Sequence, residues 1–172
     1  MTGLLRFVGI LNAAVWCGSA IFLVVALPPL FSAEMKRLLG LPGVGFAAQT
    51  IVARFFVLQY ACAAIALAHL IGEWVYIGRP LLRLNLALLT GLMGLALLGG
   101  LWMQPKLRDL HQRMYYGATV ELKDRAAKSF RVWHAGSQSA NLLVIAGLLL
   151  YLWKVAEAPE HPRFVRLSKI RS

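Results

Sequence analysis

Four long apolar stretches alternate with short polar intervals along the chain. Residues 4–27, 50–77, 81–103 and 132–155 each hold the run of roughly 20 mostly apolar residues that a helix needs to cross a bilayer. The few polar residues inside them recur at helical spacing. Asn12, Trp16 and Ser19 share one face of the first stretch. Gln59, Cys62, Ala66, His69 and Glu73 share a face of the second, and His134, Ser137 and Asn141 a face of the fourth. In an apolar helix such a face turns towards a neighbour. His69 and Glu73 stand one turn apart, where side chains can pair. Small residues (Ala61, Ala63, Ala64, Ala66 and Ala68 in the second stretch; Gly91, Gly94, Gly99 and Gly100 in the third) predict close helix contacts.

The polar intervals predict where helices end. Pro28 and Pro29 stop the first, because neither donates a backbone hydrogen bond. Gly40-Leu41-Pro42-Gly43, within the interval 32–48, predicts a turn, and Gly78-Arg79-Pro80 a tight one. The interval 104–131 is different. Pro105 suits a first helical turn, where its missing N–H costs nothing. Asp109/Arg113, Glu121/Arg125 and Asp124/Lys128 are acid–base pairs four residues apart, and Leu107, Leu110 and Met114 form one apolar edge. This predicts a water-exposed amphipathic helix, broken at Gly117. From 156 to 172 the chain is a short basic tail suited to lipid headgroups.

Composition removes the soluble alternative. Apolar residues make up 59 % of the chain and charged ones 15 %, against about 45–50 % and about 25 % in soluble domains. A chain of 172 residues has too little core to hide that excess. The expected fold is therefore an all-α integral membrane protein: one membrane domain over residues 1–172, a four-transmembrane-helix bundle with an amphipathic helical extension between helices 3 and 4. A cleaved leader fits poorly, since Phe31-Ser32-Ala33 puts a large residue where cleavage needs a small one. The net charge of +11 lies between and after the apolar runs. That is the distribution of membrane flanks facing anionic headgroups, so the lipid bilayer, not nucleic acid, is the expected partner. Four crossings put both termini on one side, and the short, base-dense flanks favour the cytoplasm.

Candidate chemistry is sparse. Cys17 and Cys62 both fall near mid-bilayer by residue count, where two thiols can meet around a soft ion; buried in apolar surroundings, they also read as inert packing. A His111/His134 pair with Glu121 is a second metal arrangement, of no specific spacing. Haem needs two rings at one height, whereas His69 and His134 differ by about 20 Å at 1.5 Å per residue. No cofactor is therefore predicted, with haem and a soft metal left as alternatives. Ser137 beside His134 lacks a carboxylate and an oxyanion hole, so no enzyme is expected. The remaining reading is helix packing, with Trp102, Gln104, Arg131, His134 and Ser137 tying the third and fourth helices together.

Trp102-x-x-Pro105, followed by Phe130-x-x-x-His134-x-x-Ser137-x-x-x-Asn141-Leu142, resembles the four-helix membrane proteins of the transmembrane protein 205 family, whose bacterial members form a domain of unknown function. Trp16-x-Gly18 and Pro29-Leu30-Phe31 agree with it, and Trp16-x-Gly18 alone is also similar to copper-resistance D-type proteins. The chain departs from the pattern at Gln104, where the family often has an acid, and at Ala135, where it has glycine. The resemblance implies a bacterial inner (cytoplasmic) membrane protein with no established reaction. Three functions follow as expectations. The favoured one is a scaffold or accessory subunit within a larger membrane complex or homo-oligomer. The others are a carrier or resistance protein for a metal ion or small solute, and a haem- or pigment-binding electron-transfer subunit.

Overall fold

Helix α1, Thr2–Ala26, ends where Pro28 and Pro29 withdraw two backbone donors, and the chain reverses through a tight 3-10 turn at Pro28–Phe31. Ser32 starts the next helix, its Oγ accepting a hydrogen bond from the Met35 N–H at 3.3 Å. The computed structural model describes residues 2–77 and 83–157; among these the chain is helical throughout apart from turns, with no strand. Residues 78–80 and the basic tail beyond 157 lie outside them.

The turn expected at residues 40–43 is a kink at Gly40, which joins two helical segments into α2, Ala33–Ile77. Gly40 alone leaves the helical conformation, at φ 67° and ψ 163°, in a region that glycine enters freely. Pro42 then falls in the first turn of the resumed helix, where it lacks no bond. Glycine and proline here end one helical segment and start the next across a kink.

The break expected before Pro105 is absent. Helix α3, Arg83–Leu97, runs through a π-helical turn at Leu98–Met103 straight into α4, Gln104–Tyr116. Pro105 has no N–H for the Leu101 carbonyl, and its ring crowds that oxygen. The helix widens by one residue to accommodate it, and the Gln104 N–H reaches the Gly99 carbonyl, five residues back. This turn packs tightly. A Cβ on Gly99 would stand 2.8 Å from the Phe56 ring, and one on Gly100 would overlap the Tyr60 hydroxyl. Gly91 and Gly94, by contrast, face open space. Gly117 ends α4 as the spacing predicts, and Thr119 caps α5, Val120–Ala156, by accepting from the Leu122 N–H at 3.3 Å. The second half of the polar interval and the fourth apolar stretch are thus one helix. Of the three ion pairs expected in the interval, Asp109–Arg113 closes within α4, at 2.9 Å, while Glu121 and Asp124 of α5 stay exposed, with no ion pair among the described residues.

The long helices pack in a ring, α1–α2–α3–α5 and back to α1, each antiparallel to its neighbours. The Arg6 guanidinium donates to the Ala156 carbonyl at 3.0 Å, so α1 begins where α5 ends. Trp16, Leu89 and Leu148 are fully buried at the centre with Cys17, Cys62, Ala63 and Ala66. The four long helical stretches are long and apolar enough to cross a membrane. They differ in reach. α1 has 25 residues, about 38 Å at 1.5 Å per residue, whereas α2 has 45 and α5 has 37. α2, α4 and α5 therefore continue past the end of α1 as a second tier, packed around Val44, Leu110, His111 and Ala126.

Candidate functional site

Polar residues inside the apolar helices occupy two contrasting places. The first is the seam between α1 and α2. The Asn12 amide donates to the Cys62 carbonyl at 2.9 Å, and the His69 Nε2–H donates to the Leu5 carbonyl, also at 2.9 Å. His69 thus bonds across to α1, where the spacing pointed along its own helix towards Glu73. Gly9 makes room for it: a Cβ there would overlap the imidazole. Trp16, of which nothing is exposed, sets its ring edge-on to Tyr151 at 6.2 Å, its Nε1–H buried without a partner. Gln59 is buried beside them. Cys17 and Cys62 are free thiols in the same apolar core.

The second place is the outer side of α5. His134 is exposed; its ring stacks on Phe130 at 5.6 Å and meets the Gln138 amide at 3.2 Å. The Ser137 hydroxyl donates to the His134 carbonyl at 2.8 Å, and the Ser139 hydroxyl to the Ala135 carbonyl at 3.2 Å. All these bonds run along α5 itself. Asn141 is half-buried one turn beyond Ser137. The expected cluster of Trp102, Gln104, Arg131, His134 and Ser137 is not assembled. Trp102 instead packs edge-on against Trp133 at 4.9 Å, and this ring pair ties α5 to the end of α3. Gln104 lines a groove against α2, while Pro105 and Arg131 are exposed. The extra residue of the π turn shifts the phase of everything after Met103, so a uniform 3.6-residue period misplaces Gln104.

His111, His134 and Glu121 are not brought together as a three-ligand group. Phe130 contacts both imidazoles, at 6.0 Å from His111 and 5.6 Å from His134. Glu121 points into solvent. Among the described residues no three His, Cys, Asp or Glu side chains converge. His111 is instead the buried centre of the second tier, beside Tyr115 and against Gly45, whose missing side chain it fills. Burial pushes this imidazole below the ordinary histidine range, towards the neutral form. The two notches, Gly9 with His69 and Gly45 with His111, join residues far apart in sequence. Their signal is a lone glycine in a helix, visible only once helix register is known.

In comparisons with known proteins, no family model matches the chain, and neither a curated protein nor a solved structure matches it significantly.

Proposed function

We propose that the protein is a multi-pass membrane protein acting as a scaffold or accessory subunit, with no reaction of its own, that docks to another membrane helix through the outer face of α5. The supporting observation is the outward placement of His134 and Gln138, with Ser137 and Asn141 at the edge of the same face. Trp102 and Trp133 suit the headgroup level of a bilayer. From Trp133, Gln138 lies about 7 Å and Asn141 about 12 Å deeper along the helix. Polar groups at that depth are costly against lipid and are covered by neighbouring helices. A subunit of a larger complex, or a second copy of the chain, would supply that helix.

The resemblance to the transmembrane protein 205 family supports the same reading, since that family implies architecture without an established reaction. It rests on Trp102, Pro105, His134, Ser137 and Asn141 and favours a bacterial inner membrane for the proposal; the charge pattern favours termini in the cytoplasm. A soft-metal carrier has less to stand on, because Cys17 and Cys62 lie in an apolar core with no third ligand among the described residues. A haem reading is weakened by the commitment of His69 Nε2 to the Leu5 carbonyl.

The test is mild-detergent purification at native expression, with a visible spectrum, metal analysis and identification of fixed partner bands. The double variant His134→Ala/Gln138→Ala should lose the partner or the dimer while melting at the same temperature as the parent chain. A Soret band, stoichiometric metal, or a colourless monomer with no partner would defeat the proposal.

A further inference from the structure

Arg54 is the one lysine or arginine between residues 38 and 77, and a wholly apolar helix would be easier to place in a bilayer without it. Its surroundings supply a reason for it. Arg54, Gln49 and Thr50 of α2 face Gln104 and Arg108 of α4 across an open groove of about 330 Å³, within the size range of small-molecule sites. The Arg108 guanidinium lies over the Phe46 ring at 5.9 Å, which fixes it at the groove wall. No acidic residue lines the groove. Asp109, next in sequence to Arg108, is bonded to Arg113 at 2.9 Å, and no described acid bridges Arg54 or Arg108. Thr50 spends its hydroxyl proton on the Phe46 carbonyl at 3.0 Å. Two guanidinium groups and two side-chain amides therefore converge on one space. A phosphate, with several acceptor oxygens and a negative charge, satisfies such a donor set.

The height of the groove selects the source of that phosphate. The bonds Asn12–Cys62 and Leu5–His69 set the register of α1 against α2. Eight residues on from the first pair, Arg54 stands level with Ala20, about 9 Å short of the end of α1 at Ala26. From there a long side chain reaches up towards Gln104, two residues beyond the Trp102–Trp133 pair. The polar end of the groove thus lies at headgroup level, and Ala53 and Val57, one turn apart, carry its apolar floor down into the lipid-facing belt. We propose that the groove between α2 and α4 binds an acidic phospholipid, its phosphate between Arg54 and Arg108 and an acyl chain along Ala53 and Val57. The inference rests on the chain lying in a membrane and is independent of the scaffold role.

The experiment uses the full chain reconstituted into phosphatidylcholine vesicles, with flotation first to show insertion. Retention of phosphatidylglycerol is then measured by native mass spectrometry after delipidation in neutral detergent. The wild-type chain should hold phosphatidylglycerol in preference to phosphatidylcholine. Arg54→Gln/Arg108→Gln should weaken that by about tenfold or more. Lys123→Gln/Lys128→Gln, which removes the same charge outside the groove, should not. Ala53→Leu keeps both arginines and fills the floor, and should also expel the lipid, so the outcome does not depend on one variant folding. Millimolar inorganic phosphate should leave the lipid in place. Equal loss in the Lys123/Lys128 variant would reduce the effect to general charge attraction. Undiminished binding in both groove variants, or displacement by free phosphate, would overturn the site. Failure to float would overturn the membrane reading as well, whereas selective lipid binding by a chain without partners would leave this site standing and remove the scaffold role.

Discussion

The α1–α2 seam and the outer face of α5 carry similar side chains, yet use them in opposite ways. At the seam Asn12 and His69 reach across to backbone carbonyls of the neighbouring helix. On α5, His134, Ser137, Gln138 and Ser139 bond within their own helix, and His134, Gln138 and Ser139 stay exposed. The lesson is that a polar residue in an apolar helix is glue only where a partner helix stands within reach. Elsewhere it is a surface awaiting one.

Filling the two faces should break the comparison most sharply. Gly9→Ala drives a methyl group into the His69 ring, and overpacking of this kind costs about 1–3 kcal/mol. Thermal unfolding in detergent should show it as a lowered midpoint. Ala135→Leu fills an exposed position on the outer side of α5 and should leave the midpoint where it was. Equal effects at both positions would mean that the faces do not differ. Next comes association: His134→Ala/Gln138→Ala should weaken partner or self-binding by about tenfold, the value of roughly two interhelical hydrogen bonds. The measurement is cross-linking yield in intact membranes, and a fall in monomer stability instead would assign these residues to packing.

Removing single bonds is a finer probe. Asn12→Leu should lose about 1 kcal/mol, since the Asn12 bond is the one it deletes. Gln138→Leu should cost the isolated chain nothing measurable. The smallest expected effect is on pH. Burial holds the folded His111 pKa below its ordinary 6.5, so the unfolded chain binds a proton that the folded one refuses. Stability contributed by the neutral ring is complete above about pH 6.5 and declines as pH falls below it. Comparison of melting midpoints in mild acid with those of His111→Phe should show the parent chain falling more steeply.

Much of the seam was legible in the chain itself. The spacing of Asn12 and Trp16, and of Gln59, Cys62, Ala66 and His69, identified inward faces, and these residues are buried. The same spacing at His134, Ser137 and Asn141 divides: Ser137 and Asn141 are half-buried, whereas His134 is exposed, because periodicity groups residues on a face without saying how far a neighbouring helix covers it. Gln104 was misplaced for another reason: periodicity assumes a uniform helix, and Pro105 sits just after a turn that is not one. Gly40 and Pro42 signalled a change of direction correctly, but its extent depended on whether the helix could resume against α4.

Residue order by itself determined the four apolar helices, the stop at Pro28 and the break at Gly117. These follow from local hydrogen bonding and from the length of apolar runs, which need no knowledge of neighbours. Tertiary structure decided the rest: that His134 and Gln138 of α5 are left exposed, that His69 and His111 fill the notches at Gly9 and Gly45, and that Arg54 meets Arg108 across a groove. Those outcomes depend on the rotation and register of one helix against another. Rotation and register are set by packing between residues far apart in the chain, where no local pattern records them.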